Sequence, residues 1–231
     1  MCKTDENERE IQCKLVNIIN KDSALKNQIE TITYKTDATE RIHRRESNYA
    51  FLKLIEPLLK GKKVLDLFCG TNSIKQFSAQ NNTNAIVTGV DNSATNTYCD
   101  IKSDVIDLPK VLKPRCQFDI IASFGGTNSE NYSDDYNYLD REGILIHGYS
   151  DSFFIDNDIN RQLNNDKKTK KSKQITKLLK YFQPIIIINV KGVHQIIKWP
   201  SQNEQLNIDE DIVYLIFRKK PKRSVLFHTL D

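Results

Sequence analysis

Two aspartates and a glycine carry the clearest chemistry in this chain. Asp66 interrupts an apolar run that opens at Val64 within KKVLDLFCGTNSI, Gly70 follows it, and Thr71, Asn72 and Ser73 are residues that enter helices. A carboxylate at the C-terminal edge of a strand, with a close-approach glycine after it, is how an open α/β sheet builds a nucleoside site. About 20 residues beyond Gly70 a second apolar run, Ala85–Val90, ends in Asp91. That spacing suits a βαβ unit whose second acid accepts hydrogen bonds from ribose hydroxyls. The loop has a single glycine, so it fits poorly the several close approaches that a pyrophosphate cradle needs.

VLDLFCGTN followed by VTGVD resembles motifs I and II of the class I S-adenosylmethionine (SAM)-dependent methyltransferases. Family members commonly carry another glycine where this chain has Asn72, and glycine or phenylalanine at Phe68; asparagine shares with glycine a tolerance for left-handed backbone angles. SDVIDLP, Ser103–Pro109, resembles the family's motif III, with Asp104 at the position whose carboxylate accepts the adenine amino group and Asp100 and Asp107 as nearby rivals. The resemblance, which spans roughly residues 45–220, implies SAM as cofactor. It implies a cofactor site made of Asp66, Phe68, Cys69, Gly70, Thr71, Asn72, Asp91, Asn92, Asp104, Val105, Ser123 and Phe124. The turn after Ser123 lacks the [D/N]PP[Y/F] sequence of amino methyltransferases and the prolyl-cysteine of cytosine-C5 enzymes, and Cys116 precedes the strand, at its far end. His147, at the end of GILIH beside Tyr149, Asp151 and Ser152, is the histidine best placed to serve as a general base, with a structural role as the alternative.

The elements that must position these residues follow from alternating short apolar runs and helical patterns. Strands are expected near Val64–Phe68, Ala85–Val90, Thr97–Ile101, Phe118–Ser123, Gly143–His147, Ile185–Val190 and Asp211–Arg218. The fold class is α/β: a Rossmann-like, seven-stranded, mostly parallel sheet with helices on both faces. Arg41–Lys60 reads as an amphipathic helix with Phe51, Leu54, Ile55 and Leu58 on its buried face, bringing Arg44, Arg45 and Tyr49 toward the cofactor end. Residues 1–45 read as an N-terminal helical extension: Ile11, Leu15, Ile18 and Ile19 make one stripe, and Leu25, Ile29 and Ile32 a weaker one. The methyltransferase domain is then 46–231. Residues 155–173 read as a polar loop, followed by a helix over Gln174–Phe182.

At 231 residues the length suits one α/β domain, with 39% hydrophobic and 28% charged residues. No apolar stretch approaches the ~18 residues of a membrane span. The polar start MCKTDENERE is unlike a secretory signal, and five scattered cysteines without a CxxC pair argue for reduced thiols, against a zinc site, and for a cytoplasmic location. The net charge is +4, and two basic runs, Lys167–Lys173 and Arg218–Arg223, either touch the phosphates of a nucleic-acid acceptor or are solvated. The expected function is methyl transfer from SAM to a nucleic acid or small molecule, with a protein acceptor also open. The alternative is a lapsed methyltransferase fold that binds SAM, RNA or a protein.

Overall fold

In the computed structural model the described residues are 3–20, 29–35, 44–93, 96–113, 117–124, 137–149, 178–198 and 205–220. Three helices precede or follow the first strands: α1 (Lys3–Asn20), α2 (Arg44–Leu59) and α3 (Ser73–Gln80). The strands are β1 (Glu30–Lys35), β2 (Lys63–Leu67), β3 (Ile86–Asp91), β4 (Ile101–Lys102), β5 (Phe118–Ser123), β6 (Leu139–Tyr149), β7 (Phe182–Lys198) and β8 (Gln205–Lys219). A 3-10 turn, Val105–Asp107, leads into the short helix α4 (Leu108–Val111).

All eight strands form one sheet in the order β1-β7-β8-β6-β5-β2-β3-β4. Each strand runs in the same direction except β8, which is antiparallel to both β6 and β7. From β2 the chain builds outward through β3 and β4 on one side, then crosses to β5 and β6 on the other. The reversal between β2 and β5 is a topological switch point, and the crevice outside the carboxyl ends of those strands is where open α/β sheets bind ligands.

Side-chain alternation divides the core into two layers. Val64, Ile120, Ile144, Ile186, Tyr214 and Ile216 face α1, α2 and α3, whose Leu15, Phe51, Ile55, Ile74 and Phe77 close that layer. Leu65, Leu67, Ile121, Leu145, Leu215 and Phe217 face the other way, under Val105, Leu108, Leu112, Tyr138 and Leu178. Phe51 is the hinge pin of the first layer: it stacks on Tyr214 at 3.7 Å and meets Phe124 edge-on at 5.5 Å. That contact also sets the first half of α2 at the carboxyl edge of the sheet.

The structure corrects the expected elements in three places. Residues Glu30–Lys35 are not helical but form β1, parallel to β7, which makes eight strands rather than seven. ETITYK alternates with period two: Ile32 and Tyr34 are buried while Thr31 and Thr33 are exposed, and the Ile29–Ile32 spacing only mimics a helical stripe. Tyr34 Oη donates to Glu8 Oε1 at 2.7 Å and so ties α1 to this strand. The third expected strand shrinks to Ile101–Lys102, because residues 97–100 bend to serve the site. The expected helix over Gln174–Phe182 is described as helical only at 178–181, and Phe182 already opens β7, in which Pro184 sits beside a register shift that accommodates its missing N–H. The expectations for Leu25, Cys116, Asp151, Ser152, the 155–173 loop and Lys167–Lys173 lie outside the described residues, as do the side chains of Arg44, Arg45 and Tyr149. No helix among the described residues is long and apolar enough to cross a membrane.

Because Phe51 is fully buried between two rings, Phe51→Ala should cost about 3–5 kcal/mol of stability. Ile86→Ala, at a position 63% exposed, should stay within about 0.5 kcal/mol. Urea denaturation of the two variants checks both.

Candidate cofactor site

The site is built on the turn that leaves β2. Asp66 pairs in register with Gly89 of β3 and Ala122 of β5, so it sits at the switch point. Phe68, Gly70 and Asn72 then take left-handed backbone angles (φ 56°, 51° and 57°), alternating with Cys69 and Thr71 to curl the chain into α3. Cys69 N–H donates to the Val90 carbonyl at 3.0 Å and Asn72 N–H to the Cys69 carbonyl at 2.7 Å. Thr71 contributes its carbonyl, which accepts from Gln76 Nε2 at 2.6 Å.

Asp91, at the end of β3, holds the turn from the neighbouring strand. Its Oδ2 accepts from Gly70 N–H at 2.9 Å and its Oδ1 from Ser93 N–H at 2.8 Å, and Asn92 between them is exposed. The connection from β3 to β4 then runs only from Asn92 to Asp100, shorter than the dozen or so residues a parallel crossover normally takes. Its compactness comes from side chains that bolt it to the turn. Asn96 Nδ2 donates to the Gly70 carbonyl at 2.6 Å, and Asn72 Nδ2 donates to the Tyr98 carbonyl at 3.0 Å.

Asn72 therefore does not cap α3 with its side chain, although it stands at the N-cap position. Its amide lies over Gly89, where an added Cβ would come within 2.4 Å of Nδ2 and 2.9 Å of Cys69 Sγ. The asparagine thus adopts the left-handed angle of a glycine and adds a tether that glycine lacks.

Of the three acids near β4, each has its own partner. Asp100 accepts from Gly89 N–H at 2.8 Å and pairs with Lys75 at 2.5 Å. Burial raises its carboxyl, but the Gly89 N–H, Lys75 and the Asn72 amide outweigh that and hold it below the usual range. Asp107 pairs with Lys110 at 2.6 Å. Asp104 is exposed and spends Oδ1 on capping the 3-10 turn, accepting from Ile106 N–H at 3.1 Å, while Val105 behind it is buried. Ser103 N–H donates to the Asp91 carbonyl at 3.1 Å, which sets Asp104 beside the turn.

Asp66 is the anomaly. It is 2% exposed, its Oδ2 has no hydrogen-bond partner, and burial together with the nearby Asp91 charge pushes its carboxyl up to about 8. Burial and the charges of Asp66 and Asp91 likewise push the Cys69 thiol up to about 12, so it is not a nucleophile. Of these acids Asp100 is paired with Lys75, while Asp66, Asp91 and Asp104 make no ion pair among the described residues, a balance that favours a positively charged ligand.

On the other side of β2 the expected residues are arranged by register. Ser123 aligns with Leu67 and with His147, and Phe124 packs edge-on against Tyr214 at 5.7 Å. Ser123 is 3% exposed and His147 4%, the latter edge-on to Phe217 at 6.4 Å. Burial pushes the His147 imidazole down to about 4, so the ring is neutral at physiological pH, and it lies within the sheet layer rather than on an open rim. Asn96, Tyr98 and Lys75 were not foreseen; the brevity of the β3–β4 connection was the available signal. Among the described residues no cluster of His, Cys, Asp or Glu could hold a metal.

Two titrations with opposite signs should be measurable. Asp66 keeps its proton in the folded state, so the stability it contributes is full below pH about 4 and is lost as pH rises through about 8. His147 contributes stability above about 6.5 that is lost as pH falls toward about 4. Denaturant melts across pH should show Asp66→Asn flattening the alkaline limb and His147→Gln the acid one. Asn72→Gly should lower stability by about 1 kcal/mol or less, since the lost tether outweighs the relieved backbone strain. Gly89→Ala, which drives a methyl into Asn72 and Cys69, should cost about 1–3 kcal/mol in the same assay.

No protein-family model matches the sequence, and a search of curated proteins found no match. Solved structures do match. A SAM-dependent methyltransferase from Archaeoglobus fulgidus aligns with a TM-score of 0.50 at 19% identity, over 76% of this chain and 94% of that one. A putative RNA methyltransferase from Pyrococcus horikoshii aligns with a TM-score of 0.48 at 12% identity, over 96% of this chain and 100% of that one. A tRNA methyltransferase from Aquifex aeolicus aligns with a TM-score of 0.48 at 12% identity, over 80% and 72%. At such identities the likeness is one of fold, and the Archaeoglobus match carries it. The chain has the fold of the class I SAM-dependent methyltransferases.

Proposed function

We propose that this protein is a SAM-dependent methyltransferase whose acceptor enters over the carboxyl ends of β5 and β6. The observation that carries the reading is the buried Asp66 carboxyl, without a donor at Oδ2, beneath a left-handed turn at the switch point. A buried polar atom without a partner costs about 1–3 kcal/mol, so the site is incomplete by itself, and a cationic donor such as the α-ammonium of SAM would complete it. Asp91 would hold the ribose hydroxyls with the lone pairs that Gly70 and Ser93 leave open, and Asp104 would take the adenine amino group. Phe68, Cys69, Gly70, Thr71 and Asn72 would shape the turn around the methionine end, with Asn92, Val105, Ser123 and Phe124 closing the walls.

SAM supplies an electrophilic methyl group on a sulfonium. The chain's own task is alignment of the acceptor, a proximity effect that can be worth about 7–11 kcal/mol. His147, beside Ser123 across the β5–β6 ladder, is neutral but closed in by the second core layer and held at about 4 by burial, so the structural role is the better supported of its two readings. The acceptor is a nucleic acid or a small molecule. Of the basic run Arg218–Arg223, Arg218, Lys219 and Lys220 donate to the carbonyls of Ile19, Leu139 and Leu179, so these three cations serve the chain itself.

S-adenosylhomocysteine at 100 times its dissociation constant should raise the melting temperature by roughly 5–10 °C. Absence of any shift would remove the cofactor site from this fold. Asp91→Ala should weaken that binding roughly 10- to 100-fold by calorimetry, the loss of a charge-assisted hydrogen bond. Binding without turnover, in extracts supplied with labelled SAM, would favour the binding-module alternative.

A further inference from the structure

Asp66 is 2% exposed, and its Oδ2 accepts no hydrogen bond. Its partners in register, Gly89 on β3 and Ala122 on β5, have no side-chain donor to offer. Alternation puts Asp66 on the face it shares with Val64, where α2 and α3 contribute apolar side chains, among them Phe51, Ile55, Ile74 and Phe77. The titratable groups around it come from the turn, from β3 and from the β3–β4 connection: Cys69, Asp91, Cys99 and Asp100. The one acid of β5, Asp119, lies at the far end of that strand against Lys62. Lys75 of α3 is taken by Asp100 at 2.5 Å.

The cluster around Asp66 therefore holds acids and thiols, and its one cation is already paired. Burial and the Asp91 charge push the Asp66 carboxyl up to about 8, so at neutral pH it carries a proton. A proton on Oδ2 has no acceptor there either, so ionisation waits for a group that brings both positive charge and hydrogen-bond donors. An opposite charge in contact with a carboxyl lowers its pKa by about 1–3. From about 8, that carries Asp66 to neutrality or below it.

We propose that cofactor binding is coupled to the loss of this proton: the ammonium group at the amino-acid end of the cofactor takes the open oxygen of Asp66, and the proton leaves to solvent. This inference rests on the reading of the site as one for SAM. One O–H bond breaks and no other covalent bond changes: a neutral carboxyl and an ammonium become a carboxylate–ammonium pair and a free proton. Asp66 then selects for the charged amino-acid end, and a nucleoside without that end gains nothing from it. The sign follows from the raised carboxyl: affinity falls as pH drops below about 8, because the proton competes with the ammonium.

The test is calorimetry of the full chain with S-adenosylhomocysteine, in two buffers of different ionisation enthalpy, phosphate and Tris. The ligand's α-amino group, with a usual pKa of about 8, is mostly charged between pH 6 and 7. At pH 7 the natural chain should release about 0.4–0.9 proton per ligand bound, and affinity should weaken about two- to tenfold from pH 7 to pH 6. Asp66→Asn, which keeps the shape of the neutral side chain, should bind without release and with an affinity flat over this range. 5′-Methylthioadenosine, which lacks the amino-acid end, should show no release from the natural chain. Release below about 0.2 proton in the natural chain, or release that persists in Asp66→Asn or with 5′-methylthioadenosine, would overturn the coupling and leave the cofactor site standing. No binding of S-adenosylhomocysteine at any pH would remove both.

Discussion

Burying a carboxyl group at the end of β2 is the constraint on which the candidate site depends. Asp66 is 2% exposed, makes no ion pair among the described residues, and lies near Asp91, so burial and that charge favour its protonated form. Everything around it is arranged to make such a placement tolerable. The turn above it is held from β3 through Asp91 and from the β3–β4 connection through Asn96 and Asn72, so the strained backbone is anchored at both of Gly70's peptide groups. A site that is rigid in this way, yet carries an unmet acceptor, has its binding energy prepared in advance.

The sheet supplies the rigidity. Parallel strands bring successive carboxyl ends to one edge, so acids from β2, from β3 and from the turn after β4 converge without any one loop spanning the site. The antiparallel β8, wedged between β6 and β7, then seals the far half through a ladder that runs from Phe182–Lys219 to Lys198–Gln205. Tyr214 of that strand receives Phe51, and in this way the strand farthest along the chain locks the helix that precedes the first motif.

The two edges of the sheet have separate duties. At the carboxyl edge the side chains are acidic and one of them, Asp66, has a buried oxygen without a hydrogen-bond partner. At the amino edge Arg218, Lys219 and Lys220 satisfy carbonyl groups at or near element ends, work that a basic run read along the sequence gives no hint of. A lysine or arginine that looks free in one dimension becomes a hydrogen-bond donor wherever the fold leaves a carbonyl without an N–H.

The sequence by itself determined the strand–turn–helix around Asp66 and Gly70, the second strand ending in Asp91, and β5 over Phe118–Ser123, because those signals are local: apolar runs, a turn glycine and a fixed spacing. The likeness to motif III pointed to Asp104 and left Asp100 and Asp107 as rivals; in the fold Asp100 pairs with Lys75, Asp107 with Lys110, and Asp104 caps the 3-10 turn. Only the tertiary structure decided the rest. Glu30–Lys35 is a strand because β7 offers it an edge, and an isolated six-residue alternation whose Ile32 stands three residues after Ile29 fits either state. Asn72 became a tether because Gly89, seventeen positions on, leaves room for its amide, and His147 became a buried neutral ring because Phe217 and the second core layer close over it. Each of these depends on a partner far away in the chain, and periodicity carries information only about neighbours.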